Sequence, residues 1–147
     1  MFRDGRFYLN DWDMMSLDIY IGKKTLKSLK IKIVAPLEPV PFPRPASNGK
    51  RRYNPPRYTN FKNALGYIAL EAMGDLATFT GAVKLTAEVH KKIIPTALKF
   101  GDIDNHLKAI CDALNGICYA DDRQITEAHI TLHKGEPLIK IELEELQ

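Results

Sequence analysis

Four segments of this chain alternate apolar and polar residues, and this pattern constrains the fold more than any other feature. The segments read LKIKIVAP, AVKLTAEVHKKI, QITEAHITLHK and PLIKIELEE. Because successive side chains of a β-strand point to opposite faces, each segment predicts a half-buried strand. The last two segments are joined through KGEP, so we predict that their strands form a hairpin.

Two other segments repeat apolar residues at helical spacing. The first helix is predicted to begin near Thr59 or Asn60, either of which can cap it. Its apolar stripe consists of Phe61, Ala64, Leu65, Ile68, Ala72 and Met73. The second is predicted to run from about Asp104 to Asn115-Gly116, a pair that favours a helix C-terminus. We therefore predict a single α+β domain, with two main helices packed on a mixed, mostly antiparallel sheet.

The length of the chain, 147 residues, fits one domain with a real core. Residues 1–26 have no sustained period, so we treat them as an N-terminal extension and residues 27–147 as the domain. The start has no apolar run typical of a secretory signal, and ALGYIALEAM is too short to span a bilayer. The two cysteines, Cys111 and Cys118, form no disulfide framework, and we interpret them as small core residues of a cytoplasmic protein.

Charge is unevenly distributed along the chain. The proline-rich stretch 36–57 is predicted to be a loop, and no acid occurs between Pro39 and Leu70. The cations of that region are Arg44, Lys50, Arg51, Arg52, Arg57 and Lys62. This asymmetry indicates an anionic partner such as a nucleic acid, and we take these six residues as its candidate contacts. The alternative is a solvated loop whose aromatic residues anchor it to the core instead of stacking on bases.

Carboxylates gather in GDIDNHLK and YADDR. The first stretch places Asp102 and Asp104 at the start of the second helix, with Lys108 one turn later. The second adds Asp121 and Asp122 after a short ICY run, which we interpret as a strand doubling back along the helix. Converging carboxylates would repel one another, and Mg²⁺ would relieve that repulsion. The alternative is structural, with Asp104 as a helix cap that also pairs with Lys108.

Other kinds of site are not favoured by the sequence. An EF-hand loop starting at Asp102 would need glycine where Leu107 stands. No Cys-x-x-Cys or His-Glu-x-x-His motif is present, and His129 and His133 are interpreted as solvent-facing residues on one strand face. A Gly-rich phosphate loop and a Gly-x-Ser-x-Gly motif are also missing.

The segment GDIDNHLKAICDALNGICYADDRQI resembles the signature region of the RusA-like Holliday junction resolvases, which are bacterial and prophage endodeoxyribonucleases. PVPFPRP and GKRRYNPPRYTNFK resemble the proline–arginine loop and the Tyr-x-Pro segment of that family. The resemblance extends over roughly residues 29–145. Gly101 departs from the family pattern, in which a proline or a basic residue often precedes the first aspartate.

The resemblance implies roles for particular residues. Asp102, Asp104 and Asp122 match the essential acids that bind Mg²⁺, for which Mn²⁺ can substitute, whereas Asp121 would be a neighbour. Lys108 matches the essential lysine of the family. Members are homodimers that bind four-way junctions and make paired, symmetric nicks during DNA recombination and repair. We therefore expect a cytoplasmic, homodimeric resolvase that needs neither an organic cofactor nor a membrane.

Two alternatives remain open from the sequence. The chain could be another Mg²⁺-dependent nuclease on the same fold, acting on other branched DNA or on DNA in general. It could also be a non-catalytic DNA-binding module in which the acids only cap and bridge. Cleavage assays on different DNA structures, with and without Mg²⁺, would separate the three interpretations.

Overall fold

The computed structural model describes residues 29–43 and 54–146, together with four strands of two residues each. Those short strands form two antiparallel pairs, Phe2–Arg3 with Arg6–Phe7 and Ala46–Ser47 with Arg52–Tyr53. The first pair belongs to the predicted N-terminal extension. The extension was predicted to comprise residues 1–26, and its other residues lie outside the described part of the chain.

The main sheet has four strands, and each of the four alternating segments supplies one of them. They are β1 (Lys30–Ala35), β2 (Val83–Lys91), β3 (Ile125–Lys134) and β4 (Leu138–Glu145). The spatial order is β1-β4-β2-β3, with β1/β4 and β4/β2 antiparallel and β2/β3 parallel. The prediction of a mixed, mostly antiparallel sheet is confirmed.

The predicted hairpin between the last two strands is wrong. Strand β2 lies between β3 and β4, so His90 has His133 on one side and Leu138 on the other. The KGEP connection passes the end of β2, where the Gly135 amide donates to the Lys91 carbonyl at 2.8 Å. A short connection looks like a hairpin in the sequence, but here a third strand occupies the space between the two.

Both predicted helices are present, with shifted starts. Helix α1 (Pro56–Met73) begins three residues before Thr59, with Pro55 at the N-cap and Pro56 in the first turn, where its missing N–H costs nothing. Helix α2 (Ile103–Leu114) has Asp102 at its N-cap position and Asp104 in its first turn, so Asp104 is not the cap. Within the described part of the chain, neither helix is long and apolar enough to cross a membrane.

The core lies between the two helices and one face of the sheet. That face contributes Ile31, Ile33, Val83, Leu85, Ala87, Val89, Ile139, Ile141 and Leu143, all buried. Helix α2 buries Ile110 and Leu114, whereas Ile103 is 46% exposed and His106 lies inside. The opposite face of the sheet, which we call the open face, carries polar side chains such as Thr86, Glu88 and His90. The α+β prediction, with two helices on one sheet, is confirmed.

Candidate active site

The N-terminal part of helix α2 carries three of the four predicted catalytic residues. Asp102 stands at the N-cap with extended backbone angles, Asp104 lies in the first turn, and Lys108 follows one turn later. All three side chains are exposed. Negative charge is favourable at a helix N-terminus, because the unpaired amides there carry partial positive charge. The N-terminal part of helix α2 thus presents two carboxylates and one ammonium group to solvent.

The backbone just before Asp102 requires glycine. Gly101 has a φ of 93°, a conformation that L side chains rarely adopt. A Cβ atom at this position would also lie 2.8 Å from the Pro41 Cγ and 3.0 Å from the His106 Nε2. Close packing of the Pro41 loop on helix α2 therefore explains why this chain has glycine before its first aspartate.

Two buried polar side chains hold the segment that leads into Asp102. Lys91 is 5% exposed, and its Nζ donates to the carbonyls of Lys99 and Phe100 at 3.2 and 3.3 Å. His106 is 2% exposed, and its Nε2 lies 2.6 Å from the same Phe100 carbonyl, so this nitrogen carries the proton. Burial lowers the pKa of both groups. A neutral imidazole and a desolvated ammonium group thus fix the loop from behind.

Neither Lys91 nor His106 was identified from the sequence, although a signal for Lys91 was present. The buried residues of β2 occupy alternate positions from Val83 to Val89, and the next position in that series is Lys91. A lysine on the buried phase of a strand needs polar partners, and carbonyls of the loop that precedes α2 provide them. His106 gave no comparable signal, because a single histidine within a helical stripe is unremarkable.

Lys108 is held over an aromatic ring. Its Nζ lies 4.0 Å from the centroid of Phe42, a distance typical of a cation–π contact. Phe42 is fixed in turn by its amide, which donates to the Asn105 carbonyl at 2.9 Å, and by an edge-to-face contact with Tyr58 at 5.3 Å. The Tyr58 hydroxyl donates to Asp112 at 2.7 Å. The proline-rich loop therefore positions the ammonium group of Lys108.

The Asp121-Asp122 pair is divided between two roles. Asp121 caps a single 3₁₀ turn (Asp122–Gln124), and its carboxylate accepts from the Arg123 amide at 2.8 Å and lies 3.2 Å from the Arg123 Nε. These contacts, the backbone amide first, lower the pKa of Asp121. Asp122 is exposed and lies near helix α2, where its charge adds to the effect of burial in raising the pKa of Cys111 to about 11. The geometry therefore favours Asp122 over Asp121 as the chemically available carboxylate.

The ICY run is a turn and not the predicted strand. The Cys118 amide donates to the Leu114 carbonyl at 3.1 Å, and the Tyr119 hydroxyl donates to the Cys111 carbonyl at 2.8 Å. The Tyr119 side chain thus reaches back to Cys111 on the helix. Cys118 is buried, and burial raises its pKa to about 12, so its thiol stays protonated at neutral pH.

The three predicted metal ligands do not form a compact group in this structure. The ligand atoms of Asp102, Asp104 and Asp122 do not all lie within 4.8 Å of one another. Among the described residues, the group of His, Cys, Asp and Glu side chains whose ligand atoms all lie within 4.8 Å is Glu88, His90 and His133. Asp102 and Asp104 share the N-terminal end of helix α2, and Asp122 lies in the 3₁₀ turn that follows the helix in the chain.

The predicted DNA contacts divide into described and undescribed residues. Arg44, Lys50, Arg51 and the side chain of Arg52 lie outside the described residues. Arg57 is exposed in the first turn of α1, and the Nζ of Lys62 lies 3.6 Å from Asp112. Tyr58 and Phe61 are buried residues of helix α1, so their side chains belong to the core.

A basic cavity lies beside the loop that leads into Asp102. Its volume is about 530 Å³, and its lining includes the cations Arg57, Lys91, Lys92 and Lys99 with a single acid, Glu38. Four cations against one acid make this surface attractive to an anion such as a phosphate group. The sequence pointed to Arg57 alone among these four cations, because Lys91, Lys92 and Lys99 are remote from the basic stretch.

Comparison with known families gives one match. The family model described as Endodeoxyribonuclease RusA matches residues 36–144 of this chain. The matched span includes both helices, the proline-rich loop and all four predicted catalytic residues. A comparison with curated proteins found no match.

Proposed function

This chain belongs to the RusA family of endodeoxyribonucleases, hydrolases that act on DNA, and on that premise we propose that it resolves Holliday junctions. In this proposal a homodimer makes paired, symmetric nicks in four-way junctions during DNA recombination and repair, in a bacterial or prophage setting. The observation that carries the proposal is the family match over residues 36–144, which spans the acids and the lysine of α2. A two-fold enzyme suits the task, because it presents two identical sites to a two-fold junction.

Mg²⁺ would be held by Asp102, Asp104 and Asp122. The donor set fits this ion, because Mg²⁺ prefers carboxylate oxygens and keeps several waters, which three exposed side chains permit. When bound, the ion would polarise the scissile phosphate and activate water for hydrolysis.

Lys108 would act on the same phosphate as a fixed positive charge. Transition states of phosphodiester hydrolysis carry extra negative charge on oxygen, and a preorganised cation stabilises that charge more than it stabilises the substrate. The Phe42 ring supports the assignment, because it holds the ammonium group in place without neutralising it. A carboxylate partner at that position would instead cancel the charge.

The contribution of the contact between Phe42 and Lys108 to the cleavage rate can be measured. A cation–π contact at a partly exposed site contributes about 0.5–1 kcal/mol, so Phe42→Leu should slow single-turnover cleavage roughly two- to fivefold. In a Lys108→Ala background the same substitution should have no further effect, because the contact is already lost. The check is a double-mutant cycle on cleavage rates, with Phe42→Tyr as the variant that keeps an aromatic ring. Equal losses in both backgrounds would mean that Phe42 acts independently of Lys108.

DNA would bind across the basic stretch and the basic cavity. Each phosphate contact by a cation releases counterions and contributes about 0.9 to the log–log dependence of affinity on salt for duplex DNA. The double substitution Arg57→Ala, Lys99→Ala should therefore weaken junction binding and flatten that slope by roughly 1.8 units per protomer. Binding titrations at several salt concentrations measure this slope.

The matched control for that titration is Lys140→Ala. Lys140 is exposed on the open face of the sheet, away from the cavity, so its removal changes the net charge without removing a proposed phosphate contact. The slope of this variant should equal that of the wild type. If the double variant keeps the wild-type slope, the cavity is not part of the DNA path.

The decisive test of the proposed function is cleavage of a labelled synthetic four-way junction. We expect nicks at symmetric positions with Mg²⁺, no cleavage with chelator, and much slower cleavage of flaps, forks and linear duplex. Equal cleavage of all these substrates would contradict junction resolution and would support the alternative of a general Mg²⁺-dependent nuclease. Light scattering on the same preparation checks the homodimer.

A further inference from the structure

Three ligand-type side chains meet on the open face of the sheet, away from helix α2. Glu88 and His90 lie two residues apart on β2, and His133 lies on β3 directly opposite His90 in the parallel register. All three are half-buried. Because the residues of the open face alternate with the buried core residues of the same strands, this group lies across the sheet from the helices.

The distances within the group suit a small divalent cation. The Glu88 Oε1 lies 3.3 Å from the His90 Nε2 and 3.7 Å from the His133 Nε2. Ligands about 2.0–2.1 Å from a tetrahedral zinc ion are roughly 3.4 Å from one another, so both distances are close to the edge of such a site. The two imidazole rings are stacked, with centroids 4.6 Å apart and an interplanar angle of 16°.

We propose that Glu88, His90 and His133 form a binding site for a divalent cation that prefers imidazole ligands, with Zn²⁺ as the best fit. Imidazole nitrogen suits Zn²⁺, Ni²⁺ and Cu²⁺, whereas Mg²⁺ takes oxygen ligands and is not retained by two histidines. This site is therefore chemically distinct from the carboxylates of α2. Two histidines and one glutamate leave a fourth position for water.

The fold holds these ligands on rigid backbone. Strand β2 is central, paired on both sides, and its pairing with β3 runs from Val83 to Lys91. Thr131, opposite Glu88, has its Oγ1 2.7 Å from the His133 Nε2 and so orients that ring toward the group. On metal binding the Thr131 hydroxyl would lose its hydrogen bond to the His133 Nε2 and would hydrogen-bond to a metal-bound water instead. A bound ion would join edge strand β3 to β2 and stabilise the folded chain.

The site was not foreseen from the sequence, which offers no zinc motif. His129 and His133 were both interpreted as solvent-facing, and His129 is indeed exposed. His133 instead meets two residues that precede it by more than forty positions, because β2 and β3 pair in parallel. His129, on the same face of the same strand but opposite Thr86, is the natural control histidine.

The test is Zn²⁺ binding to the full-length, metal-free protein, measured by calorimetry and by thermal unfolding with and without Zn²⁺. We expect one high-affinity ion per chain and a Zn²⁺-dependent rise in Tm. His90→Ala and His133→Ala should each weaken binding by about tenfold or more and abolish the rise in Tm. His129→Ala should behave as wild type. Binding should also persist in Asp104→Asn, which separates this site from the carboxylates of α2.

Two further measurements keep the proposal testable if a histidine variant folds poorly. Glu88→Gln removes the charged ligand with little change in shape, and it should weaken Zn²⁺ binding in the same way. Co²⁺ added to wild-type protein should give the intense visible absorption of a four-coordinate site, and His133→Ala should lose it. The proposal is overturned if wild-type protein binds no Zn²⁺, or if His129→Ala weakens binding as much as His133→Ala does.

Discussion

Asp104→Asn is expected to reduce junction cleavage by roughly a thousandfold or more while the fold remains intact. The change removes one of the carboxylates proposed to hold Mg²⁺, and an amide is a poor replacement for a charged oxygen ligand. Asp104 is exposed in the first turn of α2 and does not cap the helix, so its loss leaves the core unchanged. Single-turnover cleavage of a labelled junction at saturating protein measures the effect.

DNA binding gives a second measure on the same variant. Because the substitution removes negative charge near the phosphate, affinity for the junction should persist or increase. The matched control is Asp75→Asn, an exposed aspartate in the loop after α1 that has no proposed role. Near-wild-type cleavage by Asp104→Asn would exclude Asp104 from the metal site.

Lys108→Ala is expected to slow single-turnover cleavage by roughly a hundredfold or more. The alternative, in which Lys108 only pairs with Asp104 on the helix surface, predicts at most about 0.5 kcal/mol of lost stability and normal activity. The structure places the Lys108 ammonium group against the Phe42 ring, so the substitution removes a positive charge that is held in place. Cleavage rate and unfolding free energy, measured together, separate the two interpretations.

The controls for Lys108 test charge and geometry separately. Lys108→Arg keeps the charge but replaces a compact ammonium with a planar group, so we expect partial recovery of the rate. Lys134→Ala removes an exposed lysine at the end of β3 and should not change cleavage. A Lys108→Ala rate within threefold of wild type, about 0.6 kcal/mol, would favour the surface ion pair.

Local patterns determined the elements of this fold. Each of the four alternating segments became a strand, and the two helical stripes became α1 and α2, because the period of burial is set by backbone geometry within a few residues. The same local reasoning brought Asp102, Asp104 and Lys108 together, since all three lie at the N-terminal part of one helix. The assignment of Asp122 and not Asp121 as a ligand came from the resemblance alone, and the structure adds that Asp121 caps the 3₁₀ turn.

Only the tertiary structure decided which elements are neighbours. The KGEP connection indicated a hairpin, but β4 pairs with β1 and β2, and this arrangement depends on burial across the whole sheet. Lys108 contacts Phe42, which lies in a segment distant in the sequence. Lys91 and His106 both donate to the Phe100 carbonyl, although no sequence pattern links these residues. The Glu88, His90 and His133 group arises in the same way, from the parallel pairing of β2 with β3. The period of a segment predicts which face of its element a residue occupies, whereas the packing of the elements determines which residues it contacts there.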